Sequence, residues 1–220
     1  MCSSDLYREE YEALHPDARD ARRGEIVDEG MRALRLLFTE RKATFHGRHV
    51  RFQDVECFPK PRQAPLPMYA GGNHAEVRRR AGEYGEGWMP AVLSPEELAR
   101  GVADVRRAAT KAGRDDSAID IAPQFACSIG RTHEEAVKRF HASQLYKHLE
   151  SLKRSTLREQ TGGFEQRNLI GSPAEICERI RVYQQAGVTT LSGLLFVANT
   201  VPEMQEAIDL FGREVIPNFR

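Results

Sequence analysis

At 220 residues the chain can hold one domain with a substantial core, or two small ones. Its 32 lysines and arginines balance 32 aspartates and glutamates, which removes the electrostatic case for nucleic acid or an anionic membrane as partner. No apolar run reaches the roughly 18 residues that a membrane span requires, and no signal-peptide pattern is visible, so a cytoplasmic protein with no membrane or nucleic-acid partner is expected.

The first six residues, Met-Cys-Ser-Ser-Asp-Leu, are what GTG-TGC-TCT-TCC-GAT-CTN encodes with GTG read as a start. That string resembles the end of a short-read sequencing adapter, so residues 1–6 are expected to be a non-native leader; the alternative is a polar tail. Residues 7–21 read as a short helix or loop broken at His15-Pro16-Asp17. Residues 25–39 place Ile26, Met31, Leu34, Leu37 and Phe38 at roughly helical spacing, giving a helix with one apolar face. Residues 44–58 alternate weakly around Gly47 and predict a β-hairpin. Pro59, Pro61, Pro65 and Pro67 then forbid helix and favour an extended path. The remainder alternates strand and helix. Strands are predicted over 68–70, 87–91, 119–129 and 190–197, and helices over 74–84, 95–112, 134–147, 173–186 and 202–211. A polar linker containing Gly162-Gly163 runs to Asn168. Short apolar strands alternating with amphipathic helices predict a parallel sheet with helical cover.

Four helix starts carry a capping signature. Ser94-Pro95-Glu96-Glu97 and Ser172-Pro173-Ala174-Glu175 set a serine cap, a proline in the first turn and a glutamate at the third helical position. Thr132 with Glu135, and Thr200 with Glu203, repeat the spacing. In each box the hydroxyl is expected to accept from an orphan amide while the glutamate reaches back to the cap amide. These glutamates are therefore structural, not general acids. The glycines after Ala112 and Ala186 read as helix C-caps.

Cysteine and histidine usage narrows the chemistry. Cys2, Cys57, Cys127 and Cys177 form no CxxC pair and are expected to be reduced thiols; Cys127, on a predicted strand with no base spaced to activate it, reads as a buried inert thiol. The seven histidines show no HxxxH or HExxH spacing, and His46 and His49 flank Gly47 with no carboxylate motif, so no metal site is expected.

Residues 58–91, FPKPRQAPLPMYAGGNHAEVRRRAGEYGEGWMPA, are the most informative stretch. A strand, Gly71-Gly72 and a helix in succession leave free backbone N–H groups at a helix N-terminus, where a phosphate can sit; a plain tight turn is the other reading. Arg78, Arg79 and Arg80 fan out around that helix, as a solvated face with a structural ion pair or as a phosphate contact. Trp88, the only tryptophan, either packs in the core at a strand end or lines a pocket.

The joint pattern PKPxQxPxPxxxGG, a helix and a Gly-Trp-Met-Pro strand end resembles the luciferase-like monooxygenase family, in particular its coenzyme F420-dependent oxidoreductase branch. Tyr11-Glu12-Ala13-Leu14, Arg22-Arg23-Gly24 with Asp28-Glu29, Leu36-Leu37-Phe38-Thr39, Gly171-Ser172-Pro173, Tyr183 with Ala186-Gly187-Val188, and Glu214-Val215-Ile216-Pro217 extend the likeness to the C-terminus. The resemblance implies an α/β chain of the (β/α)8 TIM-barrel class. It would hold only the C-terminal half, about four βα units plus the β-hairpin insertion, as one N-terminally truncated domain over residues 7–220. It implies F420 as cofactor, with FMN as the alternative, and a small organic substrate. Gly71, Gly72, Asn73, His74 and Trp88 are the cofactor-binding candidates that it marks. Asn73 would cap the helix or donate to the phosphate, and His74 would add a cation or remain a neutral surface histidine. No catalytic residue is assigned, because the groups near the reacting ring come largely from the first strands in this family. A half-barrel exposes strand edges, so a homo-oligomer is expected; the competing reading is a non-catalytic, self-associating half-barrel.

Overall fold

The computed structural model describes residue 13 and residues 22–153 and 162–219. The leader, most of the element expected over 7–21, and residues 154–161 of the linker lie outside the described residues. The chain divides into two compact units, Met1–Met89 with Ala103–Asp120, and Pro90–Val102 with Ile121–Arg220.

The first unit opens with helix α1 (Arg23–Thr39), which buries Glu29, Met31 and Ala33. Strands β1 (Ala43–His46) and β2 (Arg51–Val55) form the expected antiparallel hairpin, with Phe45 opposite Phe52. Gly47 N–H closes the turn onto the Val50 carbonyl at 2.8 Å. The Glu29 carboxylate clasps that turn, accepting from the amides of Arg48 (2.8 Å), His49 (2.7 Å) and Val50 (2.9 Å). A Cβ on Gly47 would lie 2.2 Å from Glu29 Oε2, so this approach requires glycine. Burial alone would raise the Glu29 carboxyl, but the Val50, His49 and Arg48 amides hold it below its ordinary value.

Strand β3 (Tyr69–Gly71), helix α2 (Ala75–Tyr84) and strand β4 (Gly87–Met89) follow. The two strands are parallel, pairing Tyr69 with Gly87, Ala70 with Trp88 and Gly71 with Met89. Asp120 N–H donates to the Glu86 carbonyl at 2.9 Å and begins strand β5 (Asp120–Ile121) beside β4. At the N-terminal end of β4, Glu86 accepts from Arg35 Nη2 at 2.6 Å, from the Met68 amide at 2.9 Å and from Arg114 Nη2 at 3.4 Å. Two guanidiniums and an amide thus satisfy one partly buried carboxylate.

The second unit is built around strand β6 (Gln124–Ile129), flanked by β7 (Leu169–Gly171) and β8 (Gly193–Phe196) in the order β7-β6-β8, all parallel. Ala91 adds a parallel bridge to Gln124. Helix α3 (Pro95–Lys111) contributes its first turns here, and α6 (Pro173–Gln185) and α7 (Val201–Glu214) complete the helical set with α4 (His133–His141) and α5 (Gln144–Leu152). Phe125, Ile129, Leu169, Ile176 and Tyr183 are among its fully buried core residues, with the Phe125 and Tyr183 rings 4.6 Å apart.

Three expectations are corrected here. The strand predicted over 119–129 is interrupted between β5 and β6, where Pro123 has no amide for the ladder. The helix predicted over 134–147 is two helices. Ser143 Oγ donates to the Phe140 carbonyl at 2.6 Å and accepts from Tyr146 N–H at 3.0 Å, ending one and capping the next. Strand β7 lies where no strand is predicted, between the linker that runs to Asn168 and the helix expected from Pro173. Its placement rests on buried Asn168, whose side chain accepts from Ala126 N–H at 2.8 Å and donates to the Phe164 carbonyl at 2.8 Å.

At Ser94 both halves of the expected box form, the hydroxyl accepting from Glu97 N–H at 3.3 Å and Glu97 accepting from the cap amide at 2.9 Å; at Ser172, Glu175 accepts from the cap amide at 2.8 Å. At Thr132 and Thr200 the hydroxyls cap the helix, but Glu135 and Glu203 accept from the residue before the cap, Arg131 and Asn199. Glu97 has a second role, because it also receives the buried Arg167 guanidinium.

Candidate functional site

The four residues Gly71 to His74 join the C-terminal end of β3 to the N-terminus of α2. Gly72 adopts φ +120°, which a side chain would strain. Both of its backbone groups are held by β4. Its N–H donates to the Met89 carbonyl at 3.0 Å, and its carbonyl accepts from Trp88 Nε1 at 2.9 Å. Trp88 is fully buried, so its ring packs in the core while its one polar atom fixes the turn. Of the two readings open for Trp88, the structure places core packing; its link to the loop is through Gly72.

The N-cap of α2 is His74, not Asn73. His74 has the extended conformation of a cap (φ −67°, ψ 151°), and its Nδ1 accepts from Glu76 N–H at 3.3 Å. An accepting Nδ1 carries no proton, so the capping geometry is that of the neutral ring. Val77 and Arg78 N–H turn back to the His74 carbonyl. Among the described residues the amides of His74 and Ala75 have no hydrogen-bond partner, and they open the helix.

All three arginines of the run are ion-paired. Arg78 Nε meets Asp104 Oδ2 at 3.0 Å, and its Nη1 donates to the Asn73 carbonyl at 2.5 Å. Arg79 bridges Asp28, Glu76 and Glu83. Arg80, buried, meets Asp28 Oδ1 at 2.7 Å. The Arg79 hydrogen bond holds the Glu76 carboxyl below its ordinary value, so the one acidic residue in the first turn of α2 is matched by a cation. The sequence singles out Arg78 only as one of three arginines and does not mark Asp104. The available signal was the four-residue spacing from His74 to Arg78, which puts both on one helix face.

The other strand ends carry less chemistry. Cys127 is buried, and burial pushes its thiol up to about 12. Val197 is buried, and Phe196 meets the Phe211 ring edge-on at 5.5 Å. A cavity of about 410 Å³ in the first unit is lined by Met31, Arg35, Leu36, Phe45, Tyr84 and Glu86. It lies at the N-terminal end of β4, whereas the Gly71–His74 loop follows the C-terminal end of β3. Among the described residues no three His, Cys, Asp or Glu side chains form a metal cluster, and no helix is long and apolar enough to cross a membrane.

Over residues 8–190 the chain matches the family described as luciferase-like monooxygenase. It is 30% identical over 216 residues to the FMNH2-dependent dimethylsulfone monooxygenase of Pseudomonas putida, covering 88% of this chain and 57% of that protein. It is 26% identical over 211 residues to the F420-dependent glucose-6-phosphate dehydrogenase of Segniliparus rotundus, covering 87% of this chain and 60% of that one. A monooxygenase of Streptomyces bottropensis superposes with a TM-score of 0.76 at 21% identity, over 98% of this chain and 67% of its own. The chain spans less than two thirds of the length of these two curated relatives. The structural likeness gives the fold, that of the luciferase-like (β/α)8-barrel enzymes, present in part and with no closed sheet among the described residues. The chain belongs to the luciferase-like monooxygenase family, an enzymatic family whose members similar to it are flavin- or F420-dependent monooxygenases and oxidoreductases.

Proposed function

We propose that the Gly71–His74 loop binds the phosphate nearest the ring system of coenzyme F420, in an oxidoreductase that moves a hydride between this deazaflavin and a small organic substrate. The observation that carries the proposal is Gly72. It is at φ +120°, pinned at both its N–H and its carbonyl, and sits two residues ahead of the α2 N-cap. The loop suits a phosphate on three counts. Gly71 and Gly72 have no side chain to keep an oxygen from the backbone. The His74 and Ala75 amides emerge at the positive end of α2, a field worth roughly 0.3–1 kcal/mol for an anion. Glu76 is neutralised by Arg79.

FMN is the second reading, favoured by the FMNH2-dependent relative whose alignment covers 88% of this chain. When bound, either cofactor supplies the redox chemistry. Within this loop Gly71 and Gly72 give access, the His74 and Ala75 amides donate to phosphate oxygens, and Trp88 holds the turn in place. The same reading includes a cytoplasmic location and a homo-oligomer. A fluorescence titration of the protein with F420 and with FMN tests it. Tighter binding of F420 supports the F420 reading, tighter binding of FMN the alternative, and no saturable binding of either overturns both.

A further inference from the structure

Two side chains control the direction of successive backbone amides in this loop. A trans peptide is planar, so its carbonyl and its N–H point in opposite directions. Fixing a carbonyl therefore aims the amide of the following residue. Trp88 Nε1 holds the Gly72 carbonyl and so sets the Asn73 N–H. Arg78 Nη1 holds the Asn73 carbonyl and so sets the His74 N–H. Arg78 is itself held: its Nε donates to Asp104 Oδ2 at 3.0 Å, and Asp104 Oδ1 accepts from Arg107 Nη1 at 2.9 Å. Its side chain is about three quarters shielded from solvent, and Nη1 lies on the carbonyl side of the Asn73–His74 peptide.

We infer that Arg78, oriented by Asp104, is a positioning residue for the anion loop: it acts on a bound phosphate through the His74 amide and does not itself touch the anion. The inference rests on the phosphate reading of the loop given above. It differs from the usual expectation for an arginine beside a phosphate, which is a direct bidentate contact. Here Nε is engaged by Asp104 and Nη1 by the Asn73 carbonyl, so the cation organises the site from the carbonyl side of the loop. Arg79 and Arg80, on the same helix, have no hydrogen bond to the loop among the described contacts and are excluded from this role.

The test compares dissociation constants for FMN and riboflavin, which differ only in the phosphate, or for F420 and its phosphate-free deazaflavin core where F420 is the ligand bound, in wild type, Arg78→Ala, Arg78→Lys and Asp104→Asn. Wild type is expected to bind FMN at least about tenfold more tightly than riboflavin, one charged hydrogen bond's worth of discrimination. Arg78→Ala is expected to reduce that ratio about tenfold while riboflavin affinity stays constant. Arg78→Lys, which keeps a donor for the Asn73 carbonyl, should recover part of the ratio. Asp104→Asn should lower it by a smaller factor and serves should Arg78→Ala fail to fold. An unchanged ratio in Arg78→Ala, or in Asp104→Asn and Arg78→Lys together, overturns the inference and leaves the phosphate loop standing. Equal losses for FMN and riboflavin also overturn it, because they mark a purely structural arginine. A wild-type ratio near one overturns the phosphate reading itself.

Discussion

Replacing Trp88 with phenylalanine removes a single donor and part of a single buried ring. The Gly72 carbonyl loses the indole N–H now 2.9 Å away, and the fully buried site keeps an aromatic ring of smaller volume. Gly72 is only half-buried, so water can partly compensate, and the lost hydrogen bond costs about 1 kcal/mol. The smaller ring leaves about 40 Å³, which at ~24 cal/mol per Å³ adds about 1 kcal/mol. The expected destabilisation is therefore about 2 kcal/mol. Urea unfolding followed by far-UV circular dichroism measures it, since Trp88 is the only tryptophan and its emission vanishes in the variant. The Gly72–Asn73 peptide also loses its anchor, so FMN affinity should fall about fivefold while riboflavin affinity holds. A stability loss below ~0.5 kcal/mol would refute the structural reasoning. A full stability loss with both affinities unchanged would refute the link from Trp88 to the loop.

Arg167→Met removes a buried guanidinium that meets Glu97 and the Val92 carbonyl; with Glu97 a quarter exposed, the cost is expected near the low end for a broken buried pair, about 3 kcal/mol. Adding Glu97→Gln, which keeps an acceptor for the Ser94 cap, should recover about 1 kcal/mol, and strict additivity in urea melts would contradict the pairing. Among the described cysteines, half-buried Cys57 should react with a thiol reagent in the native protein before Cys127, whose thiol is raised to about 12; early labelling of Cys127 by mass spectrometry would contradict its burial. The Glu29 carboxyl is lower in the folded state, so its stabilisation is present above the unfolded carboxylate value of about 4.3 and is lost as pH falls through the folded value. Glu29→Gln should therefore flatten the acid limb of Tm against pH, and parallel curves for the two proteins would count against the clasp.

The alternation of strands and helices was legible because the helix starts are chemically marked. Ser94, Thr132, Ser172 and Thr200 stand at four of them, and the structure begins a helix after each. What escaped depends on contacts distant in sequence or on very short elements. Strand β7 is three residues long, too few for an alternation signal, and buried Asn168 places it. His74 caps α2 in place of Asn73 because Nδ1 of histidine stands as many bonds from Cα as the side-chain oxygen of asparagine, and position, not residue preference, selects the cap. Gly71, Gly72, Asn73 and His74 could be proposed together from the sequence because they follow one another in the chain. Arg78 was visible only as one of three arginines, and its contact with Asp104, on another helix, could not be read from a single sequence.

The most direct test of the cofactor-loop reading is an amide ¹⁵N–¹H NMR titration of the protein with F420, FMN and riboflavin. The expected result is saturable shifts for F420 or FMN that are largest at Asn73, His74 and Ala75, with these amides unmoved by riboflavin. Saturable binding that leaves those three amides in place and shifts others would contradict the assignment of the phosphate to this loop.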